Sequence, residues 1–236
     1  MTDIVIPYRQ TDEAATELKY ALRSITQNVT GVGNVFIIGD HPSWLKEVFH
    51  VPYRAGNGMT DKERNIYERV ALACGLKQVS DDFLYMNDDH YVLVPTEAEE
   101  FGVYFFGTLS RILETNTTPY QVTVQNTVNL LGKAALNYDI HCPIVFNKER
   151  FLRTFRAVEW SKPYGYCMKT LYCYANGLYG TLMPDMKIRR YHDHPAVHQL
   201  QALRGLPFFS TDDRAMNAAM VEVLETLFPN KSKYEK

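Results

Sequence analysis

Three short apolar runs, each ending abruptly at a polar or turn residue, constrain what this chain can fold into. They are "DIVIPY" (3–8), "NVFIIGD" (34–40) and "DDFLYMNDDH" (81–90). Runs this short and this free of polar alternation suit strands buried on both faces, as in a central parallel sheet. Between the first two, residues 12–27 put Leu18, Ala21, Leu22 and Ile25 on one helical stripe. After the second, "HPSWLKEVF" reads as a helical turn and residues 48–52 as a short third strand. Thr60 and Glu63 form a capping box for a helix over 61–75 that closes near Gly75. Strand, helix, strand, helix, strand predicts an α/β fold with a mostly parallel sheet flanked by helices.

Ligands of such sheets gather at the carboxyl ends of the strands. Arg9, Asp40 and Asn87-Asp88-Asp89 each stand just past a strand end. This explains why an apolar strand runs straight into two carboxylates: they belong to the rim. Asp88 and Asp89 suit a hard cation, Mn²⁺ or Mg²⁺, that also takes water and phosphate oxygens; both also suit the capping of a turn. His90 is a further ligand or an orienting neighbour. Arg9 could grip a phosphate through paired hydrogen bonds. Lys62 and Asn65 open the helix after the glycine loop "RAGNGMT", where a helix start favours an anion.

The second half is less regular. Helices are expected over 97–115, 120–136, 148–157, 166–175, 195–204 and 213–227, with strands near 142–146 and 186–190. In "YDIHCPIVFNKERF", His141 is a candidate general base or acid, with Asp139 two residues earlier. In "LPFFSTDD", Asp212 and Asp213 are helix caps or a carboxylate base. "YHDHPAVHQ" carries His192, His194 and His198 without a H-E-x-x-H pattern, which disfavours a zinc hydrolase. His192 or His194 instead suits completion of a metal or phosphate site. Gly31-x-Gly33 precedes a strand and is no dinucleotide fingerprint.

Hydrophobic residues make up 46% of the 236 and charged residues 22%, ordinary for a globular chain. A formal charge of −2 disfavours a nonspecific nucleic-acid binder. The four cysteines show no C-x-x-C spacing and read as reduced thiols. No secretory signal appears, and no apolar run approaches the ~20 residues that cross a bilayer. The expectation is a cytoplasmic protein without a transmembrane segment.

"ELKYALRSITQN…NVFIIGDHPSWL" (17–45) and "DDFLYMNDDHYVL" (81–93) resemble the core of the Stealth family, sugar-phosphate transferases that build capsular polysaccharide. "IHCPIVFNKE" and "PFFSTDD" are similar to later segments of that family. The opening "DIVIPYRQ" departs from it and looks more like a GT-A glycosyltransferase, the nucleotide-sugar class with an Asp-x-Asp metal motif. The resemblance implies a metal-dependent glycosyltransferase that moves a sugar from a nucleoside-diphosphate sugar to a glycan or other hydroxyl acceptor. Asp89 would take Mn²⁺ or Mg²⁺ with help from Asp88. Asn87, Arg9 and Asp40 would line the nucleotide, with Lys62 and Asn65 beside them, and His192 or His194 would close over the diphosphate. The chain is expected to be one domain, residues 1–95 forming the nucleotide-sugar half and 96–236 a helix-rich acceptor side. The alternatives are Stealth-like transfer of a sugar-1-phosphate and an inactive sugar-nucleotide or glycan binder.

Overall fold

The computed structural model describes residues 1–54, 56, 58–115, 118–160, 162–189 and 196–236; the predicted site residues His192 and His194 lie outside them. The first apolar run is β1 (Thr2–Tyr8), buried along its whole length. It pairs in parallel with β2 (Val32–Gly39), which pairs in parallel with β3 (Phe49–Val51), and on its other side with β4 (Asp82–Tyr85). The chain then turns through residues 86–89 into β5 (His90–Val92), outside this sheet. β6 (Ile144–Asn147) returns antiparallel to β4 and completes the order β3-β2-β1-β4-β6.

Side chains of a strand alternate between faces. Val5, Phe36, Ile38, Phe83 and Tyr85 therefore share one side, and Ile4, Ile6, Ile37, Leu84 and Met86 the other. The second face is covered by α1 (Thr16–Asn28) through Leu18, Leu22 and Ile25. The first is covered by α2 (Lys62–Cys74) and, after α3 (Leu109–Thr115) and α4 (Tyr120–Leu131), by α5 (Lys148–Arg156) and α6 (Met168–Ala175). At the amino edge of the sheet, Asp3 accepts from the N–H groups of Asn34 (2.6 Å) and Ser80 (2.7 Å) and from Asn34 Nδ2 (3.2 Å). Gly33 is required by that approach, since a Cβ there would stand 2.4 Å from Asp3 Oδ1.

A second sheet runs β7 (Lys187–Ile188), β8 (Phe208–Thr211), β5, with β7 parallel and β5 antiparallel to β8. Its register aligns Lys187, Ser210 and His90 across the three strands. α1 fastens β5, because Ser24 Oγ accepts from Val92 N at 3.1 Å and Asn28 Nδ2 donates to Val92 O at 2.7 Å. α7 (Ala196–Ala202) and α8 (Ala218–Leu227) follow in the same half, α8 packing Met220, Val223 and Leu224 against Tyr91 and Phe209. Two-residue strand pairs join Val29–Thr30 to Thr96–Glu97 and Tyr104–Phe105 to Thr181–Leu182. Among the described residues no helix is long and apolar enough to cross a membrane.

Several local expectations fail for identifiable reasons. Residues 42–45 form a single turn, Leu45 N donating to Pro42 O at 3.1 Å, that does not continue as a helix because the chain next pairs with residues 234–236: Lys46 N donates to Tyr234 O and Lys236 N to Trp44 O, each at 2.9 Å. The capping box does not form; a 3₁₀ turn over Met59–Asp61 leads into α2, and Asp61 stands at its N-cap without a side-chain bond. Only the last part of 97–115 is helical, since Gly107 takes a positive φ of 68° just before α3. Gly132, at φ 88°, ends α4 at Leu131. α8 begins at Ala218 because Asn217 caps it through Met220 N at 3.0 Å.

Glu235 anchors the terminal segment. Its carboxylate takes Arg23 Nε at 2.9 Å and Nη2 at 2.8 Å, and Ser232 N at 2.8 Å. Burial pushes its pKa up, but the bonds from Arg23 and Ser232 outweigh this and hold it below the ordinary carboxylate value. A carboxylate depressed in the folded state stabilises above its unfolded pKa, and that stability is lost as pH falls through the folded value. The melting-temperature gap between wild type and Arg23→Met should be full near neutral pH and shrink below the ordinary Glu value of 4.5. Calorimetry across that range checks it; a constant gap would show that the pair contributes no linked stability.

Candidate active site

β1 and β2 end side by side at Tyr8 and Gly39, and past β4 Met86 N donates to Val5 O at 3.1 Å. The turn that follows carries Asn87, Asp88 and Asp89 across the carboxyl edge of the sheet. It is held from within: Tyr85 Oη donates to Asn87 Oδ1 at 2.5 Å, and Asn87 N donates to His90 Nδ1 at 3.2 Å. Because Nδ1 accepts, the His90 proton sits on Nε2, which is buried without a hydrogen-bond partner among the described residues and lies 3.9 Å from Asp89 Oδ1. Burial pushes His90 down to about 3, so the ring is neutral and orients the turn.

Asp89 is buried, and Lys187 Nζ reaches its Oδ2 at 3.3 Å. The β7-β8-β5 register brings that lysine here. Asp89 Oδ1 has no hydrogen-bond partner among the described residues. Glu17, in the first turn of α1, accepts from Thr211 Oγ1 at 3.0 Å. Burial and then the neighbouring Asp89 raise Glu17 to about 7. Asp88 is pushed well above the carboxylate range by burial, then by Asp89 and Glu17. Asp89 stays low against its burial, foremost because the Lys187 ammonium stands beside it.

Three carboxyl groups thus share a low-dielectric space with one ammonium, and one buried carboxylate oxygen has no hydrogen-bond partner among the described residues. That donor set fits a hard divalent cation. Among the described residues no three His, Cys, Asp or Glu side chains converge into a complete protein cage. Mg²⁺ and Mn²⁺ seldom need one, since water and phosphate oxygens fill the other positions.

Arg69, in the middle of α2, is buried at 6% exposure, with its Nε unpartnered among the described residues. Its guanidinium lies over the Tyr53 ring, 5.1 Å from the centroid, within electrostatic range of Asp40 and Asp88. Gly39 makes room for it: a Cβ there would stand 3.2 Å from Arg69 Nε and closer still to Tyr8 O. Burial lowers the Arg69 pKa, the mark of a desolvated cation.

The other predicted residues occupy distinct positions. Arg9 and Asp40 are exposed at the rim, Asp40 accepting from Gln10 N at 2.8 Å. Lys62 is exposed in the first turn of α2. Asn65 is buried, and its amide clamps Gly56 through both N (3.1 Å) and O (3.0 Å), closing the glycine loop. Asp139 accepts from Thr170 N at 3.0 Å and Lys169 N at 3.4 Å at the start of α6. His141 shares a hydrogen bond with Asp185 and lies in electrostatic range of Asp89. Asp212 accepts from Arg214 N (3.0 Å) and Ala215 N (2.8 Å), capping a turn, while Asp213 is exposed and within range of Glu17.

Sequence reasoning missed Arg69, Glu17, Lys187 and Asp185. Arg69 did leave a signal: it follows Asn65 by four and precedes Ala73 by four, a charge on the buried stripe of α2. Glu17 precedes Ala21 by four in the same way. Lys187 and Asp185 left none, because only strand register carries them to their partners.

No protein-family model and no curated protein matches the chain. Its fold matches solved structures. An active-site mutant of LgtC superposes with a TM-score of 0.54 at 12% identity, covering 100% of this chain and 98% of that one. The galactosyltransferase LgtC in complex with donor and acceptor sugar analogs superposes with a TM-score of 0.51 at 11% identity, covering 98% of each. At such identity the likeness is one of fold: a GT-A-like α/β architecture with a mostly parallel sheet flanked by helices.

Proposed function

We propose that the chain is a metal-dependent glycosyltransferase that moves a sugar from a nucleoside-diphosphate sugar to an acceptor hydroxyl. The observation that carries this reading is a buried guanidinium, its Nε without a hydrogen-bond partner among the described residues, within electrostatic range of a crowded carboxylate cluster at the carboxyl edge of the sheet. Among the described residues Arg69 is a desolvated cation whose Nε lacks an acceptor, and Asp89 a buried carboxylate whose Oδ1 lacks a donor. A diphosphate bound through a divalent cation satisfies both at once. The GT-A-like fold, shared with a galactosyltransferase, agrees with this.

In this reading Asp89, with Asp88 beside it, holds Mn²⁺ or Mg²⁺. When bound, the ion neutralises the charge that develops on the departing diphosphate. Lys187 keeps Asp89 ionised, and His90 holds the turn in place. Arg69 supplies fixed positive charge on the diphosphate from a water-poor wall, where such charge acts most strongly. Arg9 and Asp40 line the nucleotide at the rim, and Asn65 holds Gly56 of the glycine loop. Residues 1–95 then form the donor side and 96–236 the acceptor side.

The test is calorimetric titration of UDP, GDP, CDP and TDP and their sugars, with Mn²⁺ and with chelator, followed by product analysis. One donor should bind in a metal-dependent way and release its nucleoside diphosphate. Arg69→Gln should weaken that binding by about tenfold to a hundredfold, the worth of one charged hydrogen bond. Release of the mononucleotide would move the assignment to sugar-1-phosphate transfer, and binding without turnover to a binding module. No binding of any donor would end the reading.

A further inference from the structure

His141 is held in place by three independent devices, more than a structural histidine requires. The turn before it is tied to the start of α6 by Asp139, through Thr170 N at 3.0 Å. Lys169, a buried lysine, donates its ammonium to the carbonyls on both sides of His141, those of Ile140 and Cys142 (3.1 Å to the latter). Burying an ammonium is costly unless it is well paired, and here the pairing fixes the backbone of one residue. Asp185 then takes both the backbone N–H of His141 and its ring Nδ1 through one oxygen, each at 3.0 Å, with its second oxygen 3.2 Å from Nδ1. Arg189 Nη2 holds that second oxygen at 3.1 Å.

The result is a ring with a defined tautomer. The Asp185 carboxylate can only accept, so Nδ1 carries the proton and Nε2 presents a lone pair. The imidazole keeps 28% side-chain exposure, so it is accessible, and Nε2 has no hydrogen-bond partner among the described residues. Asp185 and Lys187 lie two residues apart on one extended segment, and the first reaches His141 while the second reaches Asp89. One short stretch thus sets the imidazole relative to the carboxylate assigned to the metal.

We propose that His141 is the general base of the transfer, taking the acceptor hydroxyl proton on Nε2, with Asp185 as its positioning residue. This rests on the transferase reading above. As the acceptor O–H proton passes to Nε2, the acceptor oxygen forms its bond to the anomeric carbon. The bond from that carbon to the diphosphate oxygen breaks, and the diphosphate leaves with the electron pair. The imidazolium returns its proton to solvent. The charged and titratable groups around the ring are Asp185, Lys187, Asp89 and His90, with Arg189 behind Asp185. Burial lowers the His141 pKa against the opposing pull of Asp185, so the ring is neutral at pH 7 and available as a base.

The test uses NMR of ¹³C-histidine-labelled protein and turnover of the donor identified by the nucleotide panel. His141→Gln assigns the ring signal by its absence. Asp185→Asn should shift the His141 titration to lower pH, because the carboxylate that favours the imidazolium is gone; an unmoved titration overturns the dyad. His141→Gln should lower kcat about a hundredfold or more, the usual worth of a general base, with donor Kd within twofold of wild type. Asp185→Asn should lower kcat and move the acidic limb of the kcat profile downward, which loss of packing alone would not do. Full kcat in His141→Gln with donor bound overturns the base assignment and leaves the transferase reading intact. Failure of wild type to bind any donor overturns both.

Discussion

Asp89→Asn should lower nucleoside-diphosphate release by ~10²–10³-fold, the typical cost of removing one preorganised electrostatic contact at a reacting centre. The substitution keeps the shape of the side chain and removes its charge. Asp89 is the carboxylate of the cluster held ionised, with Lys187 Nζ 3.3 Å from Oδ2 and Oδ1 without a hydrogen-bond partner among the described residues. Asp88 and Glu17 cannot substitute for it, because each is raised by burial and by repulsion within the cluster. The variant should also lose the Mn²⁺-dependent part of donor affinity measured by calorimetry. Turnover within threefold of wild type would remove Asp89 from the reaction. An unchanged melting temperature would show that the loss is chemical, since the turn keeps its Asn87, His90 and Tyr85 bonds.

The sheet was legible because its strands are buried on both faces. An apolar run such as Ile4–Tyr8 has no reading other than an element with no solvent side, and the spacing between runs left room only for helical crossovers. The acidic turn was legible for the same reason, since Asp88 and Asp89 stand where a buried strand must surface. What failed depends on distant partners. Residues 42–46 look helical in isolation and make only one turn because residues 234–236 pair with them. β5 and β8 are short segments whose pairing is antiparallel and separated by more than a hundred residues, so no local pattern announces them. The positive side of the site, Arg69 and Lys187, was invisible in a search for clusters of charge. Arg69 lies on the buried face of α2, apart from the exposed Lys62 and Arg64, Lys187 sits on a two-residue strand, and both meet the acids only through tertiary packing.

The amino edge of the sheet offers the stability counterpart. Asp3→Ala should destabilise the fold by about 3 kcal/mol, because one acceptor is lost and donors near the sheet edge, Asn34 N and Ser80 N, are left unsatisfied at about 1–3 kcal/mol each. Asp3 is 5% exposed, so water cannot fully replace it. For a chain of this size that corresponds to a fall in Tm of about 6–12 °C. Asp3→Asn should cost less than half as much, because its carbonyl oxygen still serves one donor while its NH₂ opposes the other. Gly33→Ala should resemble Asp3→Ala, since the new Cβ would stand 2.4 Å from Asp3 Oδ1 and drive the carboxylate off its donors. Combining Asp3→Ala with Gly33→Ala should then cost little more than Asp3→Ala alone, as expected when two changes break one shared network. Additive melting-temperature losses in the double variant would mean that Gly33 is required for some reason other than the approach of Asp3.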